Sequence, residues 1–245
     1  MNIRSNIPNF ITLGNLLCGC MALVTSRMEL ACLFIFIAAV LDFLDGMVAR
    51  ILNVSSPLGK QLDSLADCVT FGVVPSFLAM KMLDAAIQPE TFLEKWILVL
   101  PFIMALAGAW RLARFNIDES QSKYFKGLPI PANGILWIAI VMLYGRSLGT
   151  SDQPEGIEYI VIITSILSSL IMVSKLKLLN FKISSLAWKG NETRFVLLGL
   201  CAIAIIAAII LKSPFTAIPA ALLLYIVVSM LHYYKFYKDE LQSGN

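Results

Sequence analysis

The chain has 245 residues, 58% of them hydrophobic and only 14% charged, with a formal net charge of +3 and a mean hydropathy of +0.80. A soluble domain of this size carries about a quarter of its residues as charges, so a water-soluble globule is excluded. No basic segment interleaved with aromatics suggests nucleic acid, so no such partner is expected. The five cysteines (Cys18, Cys20, Cys32, Cys68, Cys201) form no C-x2-C pair and lie in apolar runs, where they read as small buried hydrophobes.

Crossing the hydrocarbon takes about 20 apolar residues. Eight runs of that kind follow one another at roughly 8–26, 28–52, 64–84, 95–114, 130–149, 157–174, 194–212 and 215–234. Lipid satisfies no backbone polar group, so each must be a helix, and no period-two pattern competes. The predicted fold is all-α: a polytopic membrane helix bundle of about eight transmembrane helices. No A-x-A site precedes a soluble domain, so the first run is expected to stay attached. A cytoplasmic N-terminus places 14 of the Lys and Arg residues inside and 5 outside, the bias of a positive-inside protein. Both termini and the loop between the second and third runs are thus expected on the cytoplasmic face of an inner membrane.

The first run carries Asn9, Thr12 and Asn15 three residues apart, a spacing that shares one helix face. Such side chains hydrogen-bond to neighbouring helices or face a ligand. The second run ends in LDFLDGMVAR, with Asp42 and Asp45, and the third opens with Asp63 and Asp67. The connection around Pro57 is short, which predicts antiparallel helices that face two carboxylates against two. Gly46, Ala49 and Arg50 extend one stripe and Gly59 the other. The small residues leave room for a close approach by a backbone or a ligand.

Four unpaired aspartates at membrane depth cost on the order of 10 kcal/mol, and like charges so close repel. Helix-end exposure, or pairing with Arg50 and Lys60, accounts for two of them. A divalent cation held by oxygen ligands accounts for all four. With no histidine near and only Cys68 in reach, hard Mg²⁺ or Mn²⁺ suits the set better than zinc. Intramembrane acids also mark ion pathways, which leaves a metal or ion transporter as the rival class. Transporters usually spread such groups over pseudo-symmetric halves, whereas this cluster is confined to the second and third runs.

The fourth run ends in GAWRLARFNID, where Arg111 and Arg114 share a face, and leads to YFKGLPIPANG with Lys126. The arginines either snorkel to the interface or bind an anion bidentately. Two prolines stiffen the turn after Lys126. Between the sixth and seventh runs, SKLKLLNFKISSLAWKGNETRF is basic and amphipathic and is predicted to lie on the anionic leaflet. The lone His232 sits beside Tyr233 and Tyr234 in an interfacial belt, without assigned chemistry.

The pattern D-x2-D-G-x2-A-R-x8-G-x3-D-x3-D, filled by Asp42, Asp45, Gly46, Ala49, Arg50, Gly59, Asp63 and Asp67, resembles the signature of the CDP-alcohol phosphotransferases. IPNFITLGNLLCG, GAWRLARFN and FKGLPIPANG are similar to the phosphatidylserine synthase branch of that family. The resemblance covers about residues 5–175. It implies a six-helix catalytic core over 1–175, an interfacial linker over 176–193 and a two-helix extension with a polar tail over 194–245.

The resemblance also implies an activity. The phosphatidyl group of CDP-diacylglycerol passes to the hydroxyl of L-serine, giving phosphatidylserine and CMP. Glycerol 3-phosphate, inositol phosphate and choline are the alternative acceptors. Asp42, Asp45, Asp63 and in part Asp67 are implied to bind two Mg²⁺ or Mn²⁺ ions, with Asp67 also the base. Gly46, Ala49, Arg50, Gly59, Thr12 and Asn15 are expected around the nucleotide. Arg111, Arg114 and Lys126 are expected on the acceptor or phosphate, and the family relationship points to a homodimer in the bilayer.

Overall fold

The computed structural model describes residues 3–54, 56–117, 125–179 and 191–243. Half of the segment expected to lie on the leaflet, residues 180–190 with Lys182, Trp188 and Lys189, falls outside these ranges, as does Lys123. The bundle begins with two long helices, α1 (Ile3–Val24) and α2 (Met28–Ile51), which pack along each other. Among the described residues six stretches are long and apolar enough to cross a membrane: Asn6–Val24, Met28–Ile51, Pro57–Ile87, Glu94–Ile117, Glu192–Ile210 and Pro214–Tyr234. The fifth and sixth predicted runs form shorter apolar helices, Ile130–Tyr144 and Ile157–Val173. All eight apolar runs are therefore helical, as expected of a membrane bundle.

The third span is one rod with a defect built into it. Helix α3 (Pro57–Asp67) starts with Pro57 at its first turn, where no amide is needed. Ser56 caps it, its hydroxyl accepting from Gly59 N at 2.9 Å. Directly after Asp67 the rod widens into a π-helical turn, Cys68–Val73, before resuming as α4 (Val74–Ile87). Pro75 supplies the cause: it has no N–H for the carbonyl four residues back, that of Phe71. Asn133, from another helix, donates to that carbonyl instead, at 3.1 Å.

The fourth run is broken, contrary to the unbroken 95–114 expected from its composition. A capping box between Thr91 and Glu94 opens α5 (Phe92–Ile97). A 3₁₀ turn at Leu100–Phe102, carrying Pro101, then leads into α6 (Ile103–Ile117). Beyond it, α7 (Ile130–Tyr144) is the most enclosed helix, with Trp137, Ile130 and Ala139 wholly buried. A helix covered on most sides needs no polar face, which explains a sequence that is apolar nearly throughout, Asn133 excepted.

Helix α8 (Ile157–Val173) is followed by a feature the all-α expectation did not contain. Two residues, β1 (Phe125–Lys126), pair antiparallel with β2 (Lys177–Leu178), Lys126 opposite Lys177. Helices α9 (Glu192–Ile210) and α10 (Ala217–Ser243) close the chain as a hairpin. Only 11% of the apolar stretch of each C-terminal span is buried, against 61% for Pro57–Ile87. The hairpin therefore sits at the rim, and the core lies around Ile35, Phe71, Leu78, Met82 and Trp137.

Candidate functional site

The turn between α2 and α3 sets the acids against one another. Val54 N reaches back to Ala49 O at 3.0 Å, and Asn53 takes a left-handed conformation with φ of 51°, which asparagine tolerates. The chain thus reverses in a few residues, and α3 returns alongside α2 with its first turns facing the end of that helix. Asp42, Asp63 and Asp67 each bring an oxygen within 4.8 Å of the other two. Asp42 comes from the end of α2, and Asp63 and Asp67 come from α3. Among the described residues none of the three forms an ion pair.

That donor set contains carboxylate oxygen and neither nitrogen nor sulfur. Three acids converge with no cation of the protein between them, the arrangement that hard divalent cations bind and that is costly without one. The residues present fit such an ion.

Asp45 stands slightly apart from this trio. It is buried, and its Oδ2 accepts from Thr12 Oγ1 at 2.5 Å. With Asp63 it lines a cavity of about 240 Å³, which Thr12, Gly46, Ala49 and Gly59 also line. A β-carbon added at Gly46 meets nothing within 4 Å, so its absence opens space into the cavity. At Gly59 the same addition lies 2.9 Å from Asn9 Oδ1, so this glycine permits the close approach of α1 to α3. Arg50 does not line the cavity: it is exposed, and its Nε donates to Gly46 O at 2.9 Å.

Lys60 does line the cavity, while its ammonium donates to Asn116 O at 2.9 Å and ties α3 to the end of α6. Asn9 lines it as well. Its three-residue spacing from Thr12 was the signal that pointed to it.

Asn15 lies behind the acids rather than in the cavity. It is wholly buried, and its Nδ2 donates to Asp67 Oδ1 at 3.3 Å. Its backbone carbonyl accepts from Thr70 Oγ1 in the π-helical turn. Asn133, which anchors the same turn, is also wholly buried. Sequence reasoning passed over it, although Pro75 within an apolar run announces a carbonyl in need of a donor.

Arg111, Arg114 and Lys126 meet at a separate narrow cleft, with Trp110, Phe115 and Ser174. The two arginines lie one helical turn apart on α6, and Lys126 reaches the cleft from β1. Gly127 holds a φ of 74° against the carbonyls of Ile171 and Met172, a place closed to any side chain. Arg111 has a buried Nε without a partner among the described residues and lies within electrostatic reach of Asp67. The order through the site is therefore cavity, carboxylates, cationic cleft, with Asp67 at the boundary of the last two.

Comparison with known proteins bears on this arrangement. A family model described as CDP-alcohol phosphatidyltransferase matches residues 5–173. The chain is 39% identical over 182 residues to the CDP-diacylglycerol–serine O-phosphatidyltransferase of Bacillus subtilis, covering 72% of this chain and 91% of that protein. It is 33% identical over 171 residues to the protein of the same name from Methanocaldococcus jannaschii, covering 70% and 72%. With the Helicobacter pylori protein of that name it shares 29% over 233 residues, covering 92% and 90%.

Proposed function

The chain belongs to the CDP-alcohol phosphatidyltransferase family, and from that premise we propose that it transfers the phosphatidyl group of CDP-diacylglycerol to the hydroxyl of L-serine, giving phosphatidylserine and CMP. The relatives named above for this reaction support the choice of serine. The observation that carries the reading is the trio Asp42, Asp63 and Asp67, set between a 240 Å³ cavity and a cleft of three cations.

The reaction is a displacement at phosphorus, in which positioning and charge neutralisation do most of the work. The cavity beside Asp45 and Gly46 takes the cytidine diphosphate, with Ala49, Gly59 and Thr12 as its walls. Arg111 and Arg114, with Lys126, hold the serine carboxylate, since guanidinium matches a planar anion in two-point contact. Asp67, facing both substrates, takes the proton from the serine hydroxyl as its oxygen attacks the phosphorus beside diacylglycerol. The bond from that phosphorus to CMP breaks, and CMP leaves through the cavity. Asn15 holds Asp67 from behind.

Members of the family use divalent metal ions, and Asp42, Asp63 and Asp67, with Asp45 beside them, are the residues that would hold two Mg²⁺ or Mn²⁺ ions here. When bound, such ions neutralise the diphosphate and the leaving CMP.

The protein is an integral membrane protein by its apolar helices. The 14-to-5 distribution of basic residues supports an inner-membrane location with this site on the cytoplasmic side. A homodimer completes the proposal, and crosslinking in native membranes tests it.

A panel of acceptors with CMP release as the readout tests the reaction itself. Serine is expected to be required, in the presence of Mg²⁺ or Mn²⁺. Preference for glycerol 3-phosphate or inositol phosphate moves the chain to another branch. Metal flux into proteoliposomes without CMP release replaces the enzyme reading with a transporter.

A further inference from the structure

We propose that Tyr225 and Ser229 of α10 are positioning residues for the acceptor, holding the strand of Lys126 against Arg111 and Arg114. The inference rests on the reading of that cleft as the acceptor's anion subsite. It concerns a part of the chain beyond the family match, which ends at residue 173.

Lys126 belongs to a ladder of two residues per strand. An isolated two-stranded ribbon is at best marginally stable, so something must fix this one. Gly127 N donates to Leu176 O at 2.8 Å on one side of the ladder. On the other side, α10 clamps Leu179, the residue that follows β2. Tyr225 OH donates to Leu179 O at 2.9 Å, and Leu179 N donates to Ser229 Oγ at 3.2 Å. The two side chains are four residues apart, on one face of α10, and together they take both backbone polar groups of one buried residue. Ser229 is itself wholly buried, its hydroxyl donating to Tyr225 O at 2.6 Å.

The clamp is also felt electrostatically at the cleft. Arg111 lies within electrostatic reach of Tyr225 as well as of Asp67. A C-terminal hairpin largely exposed at the rim thus makes two hydrogen bonds to the residue directly after the strand that pairs with Lys126. Packing of the core alone does not account for that choice of place.

The test is steady-state kinetics on the full-length protein in proteoliposomes, with serine and CDP-diacylglycerol varied separately. Tyr225→Phe keeps the ring and removes one hydrogen bond, and Ser229→Ala removes the other. Each is expected to raise the serine KM roughly three- to ten-fold, with kcat and the CDP-diacylglycerol KM within two-fold of wild type. Ser229→Thr restores a hydroxyl and is expected to recover most of the serine affinity.

A serine KM unchanged in both variants, with only a lower Tm, reduces the clamp to a structural fastening and overturns the proposal. A parallel loss of kcat and of both affinities overturns it too. Failure of the underlying reading looks different: the wild type then releases CMP with another acceptor, and the same KM comparison decides the proposal on that acceptor.

Discussion

Asn15 and Asp67 meet across the α1–α3 contact, the amide Nδ2 3.3 Å from the carboxylate Oδ1, with both side chains buried. Asn15 Oδ1 has no partner among the described residues, so the amide's orientation is set by what its nitrogen holds. A hydrogen bond to a charged group is worth about 1.5–3 kcal/mol. Asn15→Leu is therefore expected to lower kcat roughly ten- to a hundred-fold while the CDP-diacylglycerol KM changes little. Single-turnover CMP release measures this, and an undiminished rate would show that Asp67 needs no support from α1.

Asp67→Asn keeps shape and volume but removes the oxygen that accepts a proton. General-base catalysis contributes about 10²–10⁴-fold, so turnover is expected to fall by at least that range. Binding of CDP-diacylglycerol, followed by protection from heat, is expected to persist. Turnover within ten-fold of wild type would assign the base elsewhere.

Asp42 and Asp45 sit on the same helix but face different tasks. Asp42 belongs to the trio of acids, whereas Asp45 is steered by Thr12. Chelation is expected to abolish CMP release, and added Mn²⁺ or Mg²⁺ to restore it. Asp42→Asn removes a charge from the trio, and the metal concentration for half-maximal activity should rise well over ten-fold. Thr12→Val leaves all the acids in place and frees Asp45, a loss of outer support worth about 10–100-fold in metal affinity or activity. Metal titrations that match wild type in both variants would remove the cation from this location.

The helical bundle and the meeting of the aspartates were legible in the sequence, and the reason is energetic. Aspartates in an apolar run are so expensive that they announce a purpose, and a three-residue spacing on a helix fixes which of them share a face. The short link at Pro57 then brings the two helices together. What stayed hidden depended on contacts remote in sequence. Asp45 parts from the other acids because Thr12, 33 positions earlier, holds it. Arg50 turns away because the Gly46 carbonyl lies within its own reach. The π-helical turn after Asp67 follows from Pro75, a local signal, but Asn133 as its anchor comes from a helix 62 positions from Phe71. No periodicity foretells a two-residue ladder that joins the ends of β1 and β2 across a whole helical pair.

Gly46 and Gly59 separate space for a ligand from space for a neighbour. A methyl at Gly46 meets nothing within 4 Å beyond its own helix backbone, and alanine stabilises a helix interior by about 0.5–1 kcal/mol relative to glycine. Gly46→Ala is therefore expected to fold at least as well as wild type, while a filled cavity raises the CDP-diacylglycerol KM. Gly59→Ala presses on Asn9 and Ser56, so here Tm should fall along with activity. A Gly46→Ala protein with unaltered KM would mean that the nucleotide lies elsewhere.

Arg114 decides between anion recognition and simple snorkelling. It lines the narrow cleft with Arg111 and Lys126 and is half-buried. If it holds the acceptor's carboxylate, Arg114→Ala forfeits a charged hydrogen bond, and the serine KM rises about ten- to a hundred-fold. The CDP-diacylglycerol KM stays near wild type, since the nucleotide cavity lies on the other side of the acids. Arg114→Lys keeps the charge without the two-point geometry, and an intermediate KM is expected. An arginine that only reaches for the interface predicts a different result: lysine serves as well as arginine, alanine costs stability, and the serine KM does not move. Varying serine at saturating CDP-diacylglycerol for the three proteins separates the two accounts.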